Sequence, residues 1–158
     1  MFAFTVVICL VLYRIFDAVD NLTVVQQAVT TQVVRVIDGD TVELVNGLRV
    51  RLLGIDATEL GYNGDASEFG AEAARDWLKG RLTGKHVKLR YGPDRLDRYG
   101  RTLAWIFLPT GELVNKELLA EGQARLVTRF GLPGDLSAEL HQATAQAQVQ
   151  RKGIWNND

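Results

Sequence analysis

Asn46-Gly47 stands between two runs of alternating apolar and polar residues, Thr41–Val45 and Leu48–Asp56. An Asn-Gly pair in that setting is the strongest short hairpin signal in the chain. A third run, Thr31–Asp38, precedes them and ends in the turn Asp38-Gly39-Asp40. Residues 31–56 therefore read as three strands in an antiparallel meander. Polar, Gly-containing residues 57–65 read as a loop. Phe69, Ala73, Trp77 and Leu78 recur at helical spacing, which predicts a helix over 67–80. Acidic residues near its start (Asp65, Glu68, Glu72) and Lys79 and Arg81 near its end suit the helix dipole. Residues 86–91 predict a fourth strand, 92–100 a basic loop and 101–108 a fifth strand. Helices are expected over 112–122 and 136–151. Five short strands with a helix after the third point to an α+β chain: a small closed barrel of the OB-fold type, a five-stranded Greek-key barrel, with three α-helices.

The chain has 158 residues and a formal net charge of −1, so one domain is expected and binding of a polyanion by bulk charge is disfavoured. One cysteine (Cys9) and two histidines (His86, His141) exclude an intrachain disulfide and a Cys/His zinc cluster. A metal acting here is expected to be a hard cation held by oxygen. Residues 1–16 are almost wholly apolar apart from Arg14, which suits an export signal or a membrane anchor. The expected organisation is this address at 1–16, a linker at 17–30 and a domain at 31–158. The product is expected to be exported, secreted or periplasmic, or held at the membrane by residues 1–16.

Charge is unevenly spread. Lys79, Arg81, Lys85, Lys88, Arg90, Arg95, Arg98 and Arg101 are interrupted only by Asp94 and Asp97. Two readings stay open: a phosphate-facing surface on which Tyr91 and Tyr99 stack bases, or a solvated strand and loop. Asp38-Gly39-Asp40-Thr41 is a turn and does not fit an EF-hand. Arg51 and Asp56 lie five apart on one run, so alternation sends them to opposite faces. Gly54 between them could host a bend that resets the parity and lets Arg51, Asp56 and Glu59 converge near Asp40.

Several segments together resemble the staphylococcal nuclease (thermonuclease) family. They are Val36-Ile37-Asp38-Gly39-Asp40-Thr41, Arg51-Leu52-Leu53-Gly54-Ile55-Asp56, Glu59, Gly70-Ala71-Glu72-Ala73, Asp97-Arg98-Tyr99-Gly100-Arg101 and the closing Gly153-Ile154-Trp155. The resemblance spans residues 31–156. It implies an OB-fold endonuclease that uses calcium (Ca2+) to hydrolyse phosphodiesters of DNA and RNA, leaving 3′-phosphate ends. It implies that Asp40, Asp56 and the backbone carbonyl of Ala57 hold the ion, with Thr41 acting through water. It implies that Arg51 and Arg101 clamp the scissile phosphate and that Glu59 is the general base. Arg98, Tyr99 and Lys85 fall at nucleotide-binding positions. Single-stranded or denatured substrates and a monomeric protein are expected. The alternative is a non-catalytic nucleic-acid- or protein-binding module of the same family; the complete set Asp40, Arg51, Asp56, Glu59 and Arg101 favours the enzyme. Replacing either arginine is expected to depress turnover far more than folding. The chain departs from the family at Thr58, where a proline is usual, and at Thr128, where the type enzyme has a base-stacking tyrosine. Its loop 60–69 lacks the usual lysines, and its Asn46-Gly47 hairpin is tighter.

Overall fold

The structure, a computed structural model, describes residues 29–61 and 65–157. The expected N-terminal address at 1–16, and all but the last two residues of the linker, lie outside them. Among the described residues no helix is long and apolar enough to cross a membrane.

Strands β1 (Val29–Val36), β2 (Thr41–Leu44) and β3 (Arg49–Leu52) form the expected antiparallel meander. A two-residue strand, β4 (Ile55–Asp56), follows a turn at Leu53-Gly54. Helix α1 (Ala71–Leu82) leads to β5 (His86–Leu96) and β6 (Thr102–Phe107). Helix α2 (Val114–Ala120), strand β7 (Arg125–Leu126), helix α3 (Gly134–Val149) and a 3-10 turn at Gly153–Asn157 complete the chain. The order β1-β2-β3-β6-β5 closes into a barrel, the OB-fold predicted from the sequence. β3 pairs with β6 in parallel, whereas the other barrel pairs are antiparallel.

Alternation explains how the barrel fills. Val42 and Leu44 of β2 and Val50 and Leu52 of β3 turn inward and are fully buried. Beneath them α1 contributes Leu78 and Leu82, and α2 and α3 contribute Leu118, Leu119 and Leu140 to the same apolar cluster. Asn115 is polar and fully buried. Its side-chain oxygen accepts from the Ile106 N–H at 3.0 Å, and its amide donates to the Leu53 carbonyl at 2.7 Å. Both amide functions are therefore satisfied by backbone, which is what keeps the residue tolerable there.

Three expectations change. The run 48–56 is not one strand: it breaks at Leu53-Gly54, and β4 leaves the barrel to pair with β7. Residues 92–96 are strand rather than basic loop, because β5 continues past a register shift to Leu96 opposite Thr102. The helix expected from Ser67 starts at Ala71, after Gly70 at φ +89°.

Gly54 is required twice over. It holds φ +69°, and a Cβ added there would come within 2.3 Å of the Trp105 ring. Left-handed strain and core overpacking add up. Gly54→Ala should therefore lower unfolding free energy by about 2–4 kcal/mol, read from the urea midpoint. A wild-type midpoint would overturn this account of the bend.

Candidate active site

Strand register assembles the site. β2 and β3 pair Thr41 with Arg51, and the Leu52 N–H donates to the Asp40 carbonyl at 2.8 Å. The parallel pair of β3 and β6 sets Val50 beside Thr102, so Arg101 arrives next to the same corner. The turn at Gly54 returns the chain so that Asp56 faces Arg51. Residues 40, 41, 51, 56 and 101 thereby meet across sixty positions of sequence.

One guanidinium organises the carboxylates. Arg51 Nη2 lies 2.8 Å from Asp40 Oδ2 and 2.7 Å from Asp56 Oδ1. Its Nη1 donates to the carbonyls of Leu52 at 2.7 Å and Ile55 at 2.8 Å, across the Gly54 turn. The side chain is only 15% exposed. Parity is therefore reset as the sequence allowed, and Arg51 itself locks the reset.

Asp40 is nearly buried. Its Oδ2 accepts from the Ala57 N–H at 3.1 Å and its Oδ1 from the Thr41 hydroxyl at 3.0 Å. Burial pushes its carboxyl up to about 7; Arg51 opposes the shift, and the neighbouring Asp38 carboxylate adds to it. Asp38 also accepts from the Asp40 N–H at 3.0 Å, shaping the turn. Gly39 sits tightly between the Ala57 and Ala74 side chains, where a Cβ would come within 2.6 and 2.8 Å. The turn is thus fixed against α1.

Arg101 is held differently. Asp97 Oδ2 accepts from its Nε at 2.7 Å, and Asp97 Oδ1 accepts from the backbone N–H groups of Tyr99 and Arg101, each at 2.9 Å. Arg101 Nη1 donates to Thr41 Oγ1 at 3.2 Å. Although burial raises the Asp97 carboxyl, these bonds outweigh it and hold the group below its ordinary range. Tyr99 is 67% exposed, with the Arg98 guanidinium over its ring and the Arg98 Nη2 donating to its hydroxyl. Glu59 is exposed, two residues beyond Ala57.

Lys85 is not brought together with these groups. It lies just before β5, at the opposite end of that strand from the Arg98–Arg101 turn. The basic run also divides. Arg81 of α1 pairs with Glu117 of α2, and Arg90 of β5 with Asp135 of α3, each at 2.6 Å; only the second ties the barrel to a helix. Arg95 stacks on Tyr91, leaving Arg95, Arg98 and Arg101 around the β5–β6 tip as the basic face nearest the site. Sequence reading missed Asp97 and Asp38 as supports of the site. The Asp-Arg-Tyr-Gly-Arg turn carried the only signal for Asp97.

Arg51 brings the carboxylates of Asp40 and Asp56 to one corner, and carboxylate oxygens are the ligand type that a hard cation takes. Among the described residues no group of three or more His, Cys, Asp or Glu is placed to hold a metal ion. Burial raises the Asp40 carboxyl, Arg51 opposes that, and Asp38 adds a second negative charge beside it.

The family model described as Staphylococcal nuclease homologue matches residues 49–157, which include Arg51, Asp56, Glu59 and Arg101. A thermonuclease of Staphylococcus hyicus is 39% identical over 133 residues, covering 81% of this chain and 76% of that protein. A thermonuclease of Staphylococcus intermedius is also 39% identical, over 126 residues, covering 77% and 73%. A micrococcal nuclease of Shigella flexneri is 34% identical over 137 residues, covering 80% and 73%. With a barrel of the matching architecture and a family match over most of its length, this chain belongs to the staphylococcal nuclease family.

Proposed function

We propose that the protein is a calcium-dependent endonuclease acting on DNA and RNA, single-stranded or denatured strands above all, and leaving 3′-phosphate ends. That it is a nuclease follows from its family. The finer reading rests on one observation: Arg51 joins Asp40 and Asp56, while Arg101 reaches the Thr41 hydroxyl beside them. Two arginine forks and two acids share one corner of the barrel.

The mechanism follows from the charge that hydrolysis creates. Attack of water on phosphorus gathers negative charge on the phosphoryl oxygens. Arg101, and Arg51 once its Nη2 exchanges Asp40 and Asp56 for phosphate, present charge-assisted donors to that charge. Glu59 takes the proton of the attacking water, the P–O5′ bond breaks, and the 5′-oxygen takes up a proton. Asp40, Asp56 and the Ala57 carbonyl would hold calcium, with Thr41 acting through water; the ion supplies further positive charge beside the phosphate when bound. Few protein ligands imply weak affinity, about 10⁻⁴–10⁻³ M, which suits an exported protein. We assign residues 1–16 to export or membrane attachment on the same ground. Tyr99 offers a face to a base and Arg98 a cation to a neighbouring phosphate. The protein acts as a monomer.

Incubation with single-stranded DNA and RNA, in calcium and in excess chelator, tests this reading. Cleavage to 3′-phosphate ends in calcium and none in chelator is expected. Full activity in chelator would sink the metal assignment. Strand binding without cleavage in either condition would favour a binding module instead.

A further inference from the structure

We propose that Glu68 is a positioning residue: it holds the backbone of Glu59 and so fixes where the Glu59 carboxylate points. This rests on the reading of Glu59 as general base.

The two residues are bonded reciprocally. The Glu59 N–H donates to Glu68 Oε2 at 3.0 Å, and the Glu68 N–H donates to the Glu59 carbonyl at 2.9 Å. The loop between them is pinched at a second point, where the Gly61 N–H donates to Ser67 Oγ at 3.2 Å. Gly61 lies so close to the returning chain that a Cβ there would fall within 1.9 Å of the Asp65 carbonyl oxygen. The neck of the loop is therefore closed by hydrogen bonds and by close approach of backbone.

Glu59 needs such an anchor. On its N-terminal side the chain is fixed at Ala57, whose N–H donates to Asp40. The intervening Thr58 hydroxyl is buried without a hydrogen-bond partner, so that side chain contributes no tether. The Glu59 side chain itself is exposed. The point from which it reaches is thus set by φ and ψ at residues 58 and 59, and the Glu59 backbone is bonded to Glu68. A general base works only within hydrogen-bond reach of the proton it removes. Loss of placement by about 1 Å costs up to about 10²-fold.

The bond requires an acceptor and not a charge. Glu68→Gln presents an amide oxygen to the same N–H, whereas Glu68→Ala presents none. Glu68→Ala should lower kcat by about 10-fold or more while KM, the calcium concentration for half-activity and the urea midpoint change little. Glu68→Gln should restore most of the rate. In a Glu59→Ala background, Glu68→Ala should cost nothing further, because the group it positions is gone.

Wild-type kcat in Glu68→Ala would overturn the inference. So would an equal loss in Glu68→Gln, which would point to charge, or an undiminished loss in the Glu59→Ala background, which would place the effect elsewhere. Failure of the underlying reading looks different: Glu59→Ala alone would then turn over at the wild-type rate.

Discussion

Arg51→Ala and Arg101→Ala should each reduce turnover on denatured DNA by about 10²–10³-fold, yet differ sharply in stability. Arg51 is nearly enclosed, bridges two carboxylates and pins two carbonyls of the Gly54 turn. Its removal leaves four acceptors without their donor and a buried acid without its counter-charge. The cost should be about 2–4 kcal/mol. Arg101 is more exposed, and Asp97 keeps its backbone bonds to residues 99 and 101 without that side chain. Its loss should cost about 1 kcal/mol or less. The sequence-based expectation that either loss falls on turnover far more than folding stays a prediction for Arg101, and for Arg51 the enclosed geometry adds an expected stability cost. Arg51→Lys separates charge from shape. An ammonium cannot serve two carbonyls and two carboxylates, nor grip phosphate with a fork, so the rate should still fall by about 10²-fold. Steady-state kinetics beside urea titrations would decide the matter, and wild-type turnover in either alanine variant would refute the arginine clamp.

Asp40→Asn should abolish cleavage and, in chelator, make the protein more stable. The unfolded carboxyl ionises near its ordinary 3.8, whereas burial holds the folded one up to about 7. Below 3.8 both states carry the proton and the group costs nothing. Between 3.8 and 7 the unfolded chain loses its proton first, so stability falls as pH rises. Above 7 the whole penalty applies, about 4 kcal/mol for the full shift. An amide removes this titration and the repulsion from Asp38. It also keeps the contacts: its oxygen can accept from Ala57 and Arg51, and its NH2 can donate to Thr41. Because the attraction to Arg51 weakens, the net gain should be about 2 kcal/mol at pH 8, shrinking toward pH 4. Urea unfolding in chelator at both pH values reads this directly. A variant less stable than wild type at pH 8 would contradict the burial account. On the proposed reading, stability given up at Asp40 keeps an acid ready for a cation.

The barrel was legible because its strands obey local rules. Val42, Leu44, Val50 and Leu52 alternate cleanly, and Asn46-Gly47 announces the hairpin. Arg51, Asp56 and Arg101 were legible only through resemblance, since spacing alone set Arg51 and Asp56 on opposite faces. What the sequence concealed was non-local. The pairing of β4 with β7 joins residues seventy apart, and neither dipeptide has a pattern of its own. The extension of β5 to Leu96 overrides Gly92-Pro93, residues that locally favour a turn. Lys85 looked like part of one basic face because sequence distance hides which end of a strand a residue occupies. Asp97 and Glu68 were obscure for a related reason: both act on backbone N–H groups, whose positions no side-chain pattern encodes.

The parallel pairing of β3 with β6 has a consequence for how the protein becomes active. Such a seam closes a long stretch of chain, so its entropic cost falls due before its contacts form. Arg51 and Arg101 flank that seam on either side. A partly folded chain with the β1–β2–β3 meander in place still lacks the second arginine at the corner. On the proposed reading, catalytic competence therefore requires the β3–β6 seam to close, and a chain that has formed only the β1–β2–β3 meander carries no working site.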